Sequence, residues 1–512
     1  ADLWTGGDCD DDDPDVHPGA WDRVGDGLDA DCSGADRTCV DGPLQLAVDG
    51  DLVLSGDEAD AVAADACAAG DWVRGAVLIE NTDWQDLRAL SCLCGVDEGV
   101  QVLTAPSLRT LDGLSPDLHM GLRVDLRFLP VLHSIAALGA MRWAAPLRNP
   151  AQLVLQDLPS LGSLDGMDGL TELDDLVVRG DVPADLGALA TLGVVWQSLE
   201  LRQTERTDIA GLDGLVRVGE LRVEEAPNLH SLAPLDGLER VRFLTLSALP
   251  INNLDDFAAL TRVDRRLTVA GMSGLTDLSG LPALTVLGGL YVLNNPALTS
   301  LAGLPEAVDA VDGDLVLVGN VGLDSPRGLG GLRWLGGDLV LGTSDGPSHV
   351  TSLVGLEGLE FIGGSLRVDR APALQSLAGL DNLIEIGGDV VLTSVFEPSI
   401  ASLSLAGVPA LHTIHGGLVL YAHDRMVDLQ GLESLARVGV IDMEANPMLR
   451  STQGLSGLED AGEVLIFDND VMEDIVELYR IDHVDGAVCV EVPGSTTEPE
   501  AWLASLGRVN GC

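Results

Sequence analysis

The 512-residue sequence contains no lysine at all: its 28 basic residues are all arginine, and they face 81 acidic residues for a formal net charge of −53. A phosphate backbone demands a basic footprint, so nucleic acid is excluded as a natural partner. Aromatic residues make up only 3% of the chain although 46% is hydrophobic, so the apolar material suits repeated layers of small aliphatic side chains better than a globular core filled by large rings. No apolar run approaches the roughly 18 residues of a membrane span. Gly-rich phosphate loops and H-E-x-x-H are missing as well.

Cysteine is absent from the middle of the chain. Cys9, Cys32, Cys39, Cys67, Cys92 and Cys94 lie near the start and Cys489 and Cys512 at the end. Such a distribution reads as disulfide caps formed in an oxidising compartment, and the start at Ala1 reads as a mature exported product, so the expected location is extracellular or on a bacterial cell surface. Cys39, Cys67, Cys92 and Cys94 allow three pairings. Cys39 with Cys67 is favoured, leaving Cys92 and Cys94 as a close-range bridge or as partners drawn from a neighbouring coil; Cys489 with Cys512 closes the far end.

What the chain does have is a repeat. An apolar-x-apolar triplet begins at Leu52, Val77, Val100, Val124, Leu153, Leu176, Leu199, Leu221, Leu244 and Leu267, and continues at Leu290, Leu315, Leu339, Leu366, Val390, Leu418, Ile441, Val464 and Val488. Its mean spacing is about 24 residues, with steps of 22 to 29 and the longest near 145 and 395. Period-2 alternation predicts one short strand per triplet with one face buried. Glycine stands two places before the triplet in twelve of the nineteen repeats, among them Gly288, Gly313, Gly337, Gly364, Gly388 and Gly416, where a corner into a strand is expected to need a positive φ. After the triplet comes a leucine signature, clearest in Asn295-Pro296-Ala297-Leu298-Thr299-Ser300-Leu301-Ala302-Gly303-Leu304 and again over 371–380. These leucines cannot form a core within one repeat, but stacked on the next coil they make a continuous apolar ladder.

This pattern resembles leucine-rich repeats, and in its G-G-x-L-x-L-x-x-x-P-x-L-x-S-L-x-G-L form it is most similar to bacterial receptor-L-domain repeats, over about 52–490. The expected fold is therefore an all-β or β-rich solenoid, a right-handed parallel β-helix of about 19 coils. It lacks the regular turn asparagine of plant and animal repeats: Asn294, Asn320 and Asn446 read as scattered. The expected organisation is a head over 1–38, an N-terminal cap and first coil over 39–75 with a short helix at 57–69, the receptor-L-like solenoid over 76–486, and a C-terminal coil and cap over 487–512.

The head is rich in aspartate. Oxygen donors at alternate positions (Asp8, Asp10, Asp12, Asp26, Asp29, Asp31, Ser33 and Asp36) suit calcium, which takes six to eight hard ligands. Asp29-x-Asp31-x-Ser33-Gly34 matches the first half of a calcium loop, but Val40 stands where an EF-hand places its closing glutamate. The segment resembles the Asp/Cys-rich metal-binding motif appended to secreted bacterial surface proteins, and on that resemblance Cys9 pairs with Cys32. A solvated leader is the plainer alternative.

The residue at the centre of each triplet points away from the core. Charged members of that column (Asp125, Glu200, Arg222, Arg367 and Asp442) read as isolated, with Glu200 and Arg222 on successive coils as a surface salt bridge, and no paired carboxylates mark a hydrolase or lyase site. Tyr291, Val316, Val340, Val391 and Val419 form an outward apolar stripe that reads as a contact surface, although β-branched residues are also simply favoured in strands. The sequence thus points to a non-enzymatic, calcium-stabilised surface protein that presents a solenoid to a protein or glycan. The alternatives are a self-assembling subunit of a fibre or surface layer, in which copies of the chain are the partners, and, further off, a polysaccharide-acting β-helix enzyme. His412, His415 and His423 are close in sequence but are expected to face different sides.

Overall fold

The structure is a computed structural model and describes Cys39 and residues 44–115, 118–121, 123–140, 142–143, 152–183, 185–393, 403–423, 425–491 and 500–506. The aspartate-rich head and the two longest inter-triplet segments, 144–150 and 394–402, fall outside these. The chain divides into two compact units, residues 1–238 and 239–512.

In the first unit the triplets stack in parallel and in register, Leu52 on Val77, Val100, Val124, Leu153, Leu176, Leu199 and Leu221. The second unit repeats the arrangement from Leu244 through Leu267, Leu290, Leu315, Leu339, Leu366, Val390, Leu418, Ile441 and Val464 to Val488. Both apolar positions of every triplet are buried, from Leu52 and Leu54 to Val488 and Val490. Each fully buried aliphatic side chain contributes about 2 kcal/mol, and stacking like on like leaves no coil to bury its own face alone. Each unit is a parallel β-solenoid of the leucine-rich-repeat type.

A second, shorter strand precedes the triplet in most coils, as in Val263, Leu287, Val311 and Leu335, which stack in parallel one coil above another. In some coils it merges with the triplet strand, as in Arg262–Ala270; in others a Gly-Gly bend separates them. The return side of the coils carries short 3-10 turns such as Gly187–Leu189, Ala233–Leu235 and Asp255–Phe257, whose leucines and Phe257 are buried. The leucine signature runs through this side: Leu298, Leu301, Leu374, Leu377 and Leu380 all lie in the core.

The bend glycines serve a purpose other than the expected one. Of the twelve glycines two places before a triplet, only Gly50 takes a positive φ. A Cβ on Gly337 would stand 2.6 Å from the Gly313 backbone, and one on Gly364 2.6 Å from that of Gly337. The coils approach each other here with no room for a side chain, and the space left is taken by aspartate and serine side chains. Asp314 Oδ1 accepts the amide of Asp338, Asp338 Oδ1 that of Ser365, Ser365 Oγ that of Asp389, and Asp389 Oδ1 that of Gly417, at 2.7–3.0 Å. Missing side chains on one row thus let the next row tie coil to coil.

Left-handed backbone instead occurs just after the triplet. The fourth residue beyond its first position takes φ of 51–58° in Asn81, Thr104, Phe128, Asp157, Gln203, Glu225, Ala248, Asn294, Arg370, Ala422, Ala445 and Asp468, and glycines fill the same register at 56, 180, 271 and 319. The turn off the sheet requires this conformation whatever the side chain, so composition carries no sign of it.

The asparagines also differ from the expectation. Asn294 is the exposed left-handed residue, whereas Asn295, Asn320, Asn446 and Asn469 are buried. Asn295 Nδ2 donates to Val269 O at 3.0 Å and Asn320 Oδ1 accepts the Asn295 amide at 2.9 Å. Asn446 Nδ2 donates to Leu420 O at 3.0 Å, and Asn469 Oδ1 accepts the Asn446 amide at 3.0 Å. Two short asparagine ladders therefore satisfy the turn backbone that leaves the sheet.

Candidate recognition surface

The N-terminal end of the described chain is fastened by two disulfides. Cys39 bonds Cys94 and Cys67 bonds Cys92, with Cα separations of 5.1 and 5.6 Å, so the expected Cys39–Cys67 bridge is replaced. The helix Ala59–Ala69 carries Cys67 and buries Ala59, Ala63 and Ala66. Cys67 and Cys92 lie 25 residues apart, one repeat, and stacking brings residues one repeat apart together. Period arithmetic contained that pairing; proximity along the sequence concealed it. Cys489 is disulfide-bonded too, and since the other described cysteines are paired with one another, its partner lies outside the described residues.

The proposed calcium ligands Asp8, Asp10, Asp12, Asp26, Asp29, Asp31, Ser33 and Asp36, with Cys9, Cys32 and Cys512, lie outside the described residues. Among the described residues no group of three or more His, Cys, Asp or Glu side chains is placed to hold a metal ion. His412 and His415 are exposed and bond the Ser434 carbonyl and Glu385 respectively, while His423 is buried. A cleft of about 500 Å³ on the return side of the first unit is lined by Asp181, Asp185, Thr204, Arg206 and Asp208. Its guanidinium is spent on backbone: Arg206 donates to the carbonyls of Asp208 and Val182, both at 3.0 Å.

The remaining feature on which side chains converge is the outward face of the triplet sheet. In the first unit it is a lattice of ion pairs. Asp125, its side chain 1% exposed, is gripped by Arg123 at 2.6 Å and by Arg127 at 2.6 and 2.9 Å. It is the reverse of isolated. Glu200 pairs with Arg179 at 3.0 Å and Arg222 with Glu220 at 2.6 Å, so the expected Glu200–Arg222 bridge gives way to partners on other columns of the face. The strand pleat explains both corrections. Positions one, three and five of a strand share a face, so the residues just before and just after the triplet join its centre in one surface.

In the second unit the same face is largely uncharged along its centre. The central column runs Thr268, Tyr291, Val316, Val340, Arg367, Val391, Val419, Asp442 and Leu465. Its valines shield one another: Val316 is buried at 8% exposure, and Val340, Val391 and Val419 are half-buried. Arg367 interrupts the stripe and pairs with Asp338 at 3.2 Å. Tyr291 donates its hydroxyl to Asp314 at 2.5 Å; burial, and then this carboxylate, push its phenol pKa up. Beside it, the Arg266 guanidinium lies over the Tyr291 ring at 4.9 Å and the Phe243 ring at 5.9 Å. Asp442 has no hydrogen-bond partner at its buried Oδ1, and burial raises its pKa.

Comparison with known proteins adds two kinds of likeness. A family model described as "Putative metal-binding motif" (Cu-binding_MopE) matches residues 8–36. No curated protein sequence matches the chain. Among solved structures, an internalin from Listeria monocytogenes is similar at 17% identity, over 63% of this chain and 88% of its own, with a TM-score of 0.34. YopM from Yersinia enterocolitica is similar at 16% identity over 80% of this chain and 92% of its own, with a TM-score of 0.27. A TLR13–ssRNA13 complex is similar at 15% identity over 91% and 72%, with a TM-score of 0.36.

Proposed function

We propose that the chain is an extracellular, non-enzymatic recognition protein that captures a protein partner on the outward face of its triplet sheet, with an N-terminal head that binds calcium. The observation that carries this reading is the face itself. Its side chains stand in fixed columns one coil apart, about 4.8 Å, on a backbone pinned by ladders of Asp, Ser and Asn bonds. Such a surface meets a partner with little ordering cost. Most of its charged groups in the first unit are committed to ion pairs with one another, as befits a binding surface more than a reacting site. The two bridges Cys39–Cys94 and Cys67–Cys92 support an oxidising location. A net charge of −53 makes copies of the chain repel one another, which favours a foreign partner over self-assembly.

The test of the face is capture of a panel of purified cell-surface and matrix proteins by the immobilised full-length chain. Val340→Glu combined with Val391→Glu is expected to abolish any capture found, while Asp468→Arg, on the turn beyond the sheet, leaves it unchanged. Capture that survives the double substitution removes the reading. For the head, calorimetric titration with Ca²⁺ and, separately, Cu²⁺ is expected to show calcium binding that Asp29→Asn with Asp31→Asn removes. An all-oxygen donor set favours the harder ion, so tight copper binding with no calcium heat rejects the calcium assignment.

A further inference from the structure

On the shorter strand of the second unit, Trp334 is 45% exposed although it stands in regular parallel pairing. One face of its ring is taken: it stacks on Phe361 of the following coil, with 4.0 Å between ring centroids and 15° between the planes. The other face looks toward the preceding coil, where the residue directly opposite is Ala310. A methyl group is too small to cover an indole, so that face is open.

The chain itself shows what covers such a ring. Trp72 occupies the same register, five places before its triplet at Val77, as Trp334 stands five before Leu339. The Arg74 guanidinium lies over the Trp72 ring at 5.6 Å and donates at 2.6 Å to Asp49 on the preceding coil. Ring, cation and carboxylate thus make one unit, the cation held by the ring quadrupole and by the negative charge beside it. On the Trp334 coil the ring and the carboxylate recur without the cation: Asp312 has the register of Asp49, and Gly336 that of Arg74. The chain cannot supply an arginine there, because a Cβ on Gly336 would run into the Asp312 carbonyl of the preceding coil. Asp309, next to Ala310, adds a second carboxylate. Among the described residues neither the Asp309 nor the Asp312 side chain has a hydrogen-bond or ion-pair partner. Arg333, adjacent to Trp334, donates instead to Glu360 at 2.7 Å, on the Phe361 side of the stack.

We infer that Trp334 receives an arginine side chain of a partner protein, the guanidinium lying on the open indole face and its N–H groups donating to Asp312 and Asp309. A guanidinium is flat enough to lie on the ring, and its fork of donors fits carboxylates at its edge. An ammonium reaches the carboxylates only as a point charge and stacks less well. The net charge of −53 draws a cationic partner toward the surface. Because the ring stands on the shorter strand, this site goes beyond the triplet-face reading and holds without it.

The test uses the full chain and a displayed library of short random segments, counter-selected on Trp334→Ala so that only binders needing the ring are kept. The retained binders are expected to share an arginine, and replacing it by lysine should weaken them about tenfold, within the range of a desolvated cation–π contact. Asp312→Asn should weaken them about tenfold as well, through loss of a charge-assisted hydrogen bond. Ala310→Arg, which lays the chain's own guanidinium on the ring, is expected to abolish binding. Free arginine should compete only at far higher concentration than an arginine-containing peptide. Unchanged thermal melting confirms that each variant is folded. A counter-selection that retains nothing, or binders that keep their affinity on Ala310→Arg, overturns the site. Retained binders indifferent to the change from arginine to lysine show that the ring is touched by another group and overturn the guanidinium. Equal competition by free arginine overturns the partner protein.

Discussion

At the scale of single residues the chain keeps its left-handed backbone in one register of the repeat and leaves one buried carboxylate oxygen, on Asp442, without a partner. Asp442 shows what one such position does to stability. Its carboxyl holds a proton more tightly in the folded chain than in the unfolded one, so folding is favoured at low pH and the advantage is lost as pH rises through the raised pKa. Asp442→Asn removes that dependence. It is expected to stabilise the chain at neutral pH by roughly a few tenths of a kcal/mol, because half-exposure screens the cost, and to have no effect below the unfolded aspartate range. Denaturant midpoints of the two proteins across pH check this; a substitution that destabilises at pH 7 contradicts it. Asp264 is the opposite case. Burial alone raises its pKa, yet hydrogen bonds from Arg240 at 2.7 Å and Arg262 at 3.1 Å outweigh that and bring it down, so its contribution is present above the unfolded pKa and disappears as pH falls through the lowered one.

Adjacent asparagines make a sharper comparison. Asn295→Ala leaves buried backbone groups of neighbouring coils unpaired and is expected to cost about 2–3 kcal/mol. Asn294→Ala only replaces one left-handed residue by another less suited to it, about 1 kcal/mol. Thermal melting of the two variants ranks them, and equal losses mean that the ladder does not stabilise the turn. The sequence displayed both asparagines but not which of them faces inward, since that depends on where the chain leaves the sheet.

At the scale of the repeat, two different constraints fall on glycine and on its neighbours. Gly337 needs the absence of a Cβ because the preceding coil passes too close; Gly330 has nothing within 4 Å of a Cβ. Gly337→Ala is therefore expected to cost about 1–3 kcal/mol, the usual penalty of overpacking, and Gly330→Ala to be neutral or slightly stabilising. Urea denaturation of both variants tests the pair, and a neutral Gly337→Ala removes the close-approach account. Both are plain glycines in the sequence. Only the stacking distance separates them, and stacking is a property of two coils at once.

At the scale of the whole molecule, charge and covalent closure act together. With a net charge of −53, mutual repulsion opposes the compact state, and added salt screens it over a Debye length of ~10 Å at 0.1 M. The melting temperature is expected to rise by several degrees between about 20 and 500 mM sodium chloride, the ~10 Å screening length of 0.1 M lying inside that range; a flat profile means that the ion-pair lattice already neutralises the repulsion locally. The Cys67–Cys92 bridge closes one coil, and in the chain-entropy account a loop of that size contributes about 3 kcal/mol.

The sequence by itself determined the repeat, the nineteen triplets and their register. Alternation and period are properties of one strand and one step, and stacking like on like is the arrangement that buries every triplet. It also determined the solenoid class and the strong acidity. Tertiary structure alone decided why the bend glycines are needed, which asparagine turns inward and how Asp442 comes to hold a buried Oδ1 without a partner. Each of these depends on the distance between side chains on different coils and columns, and a linear pattern carries the spacing of residues along the chain but not the gap across it.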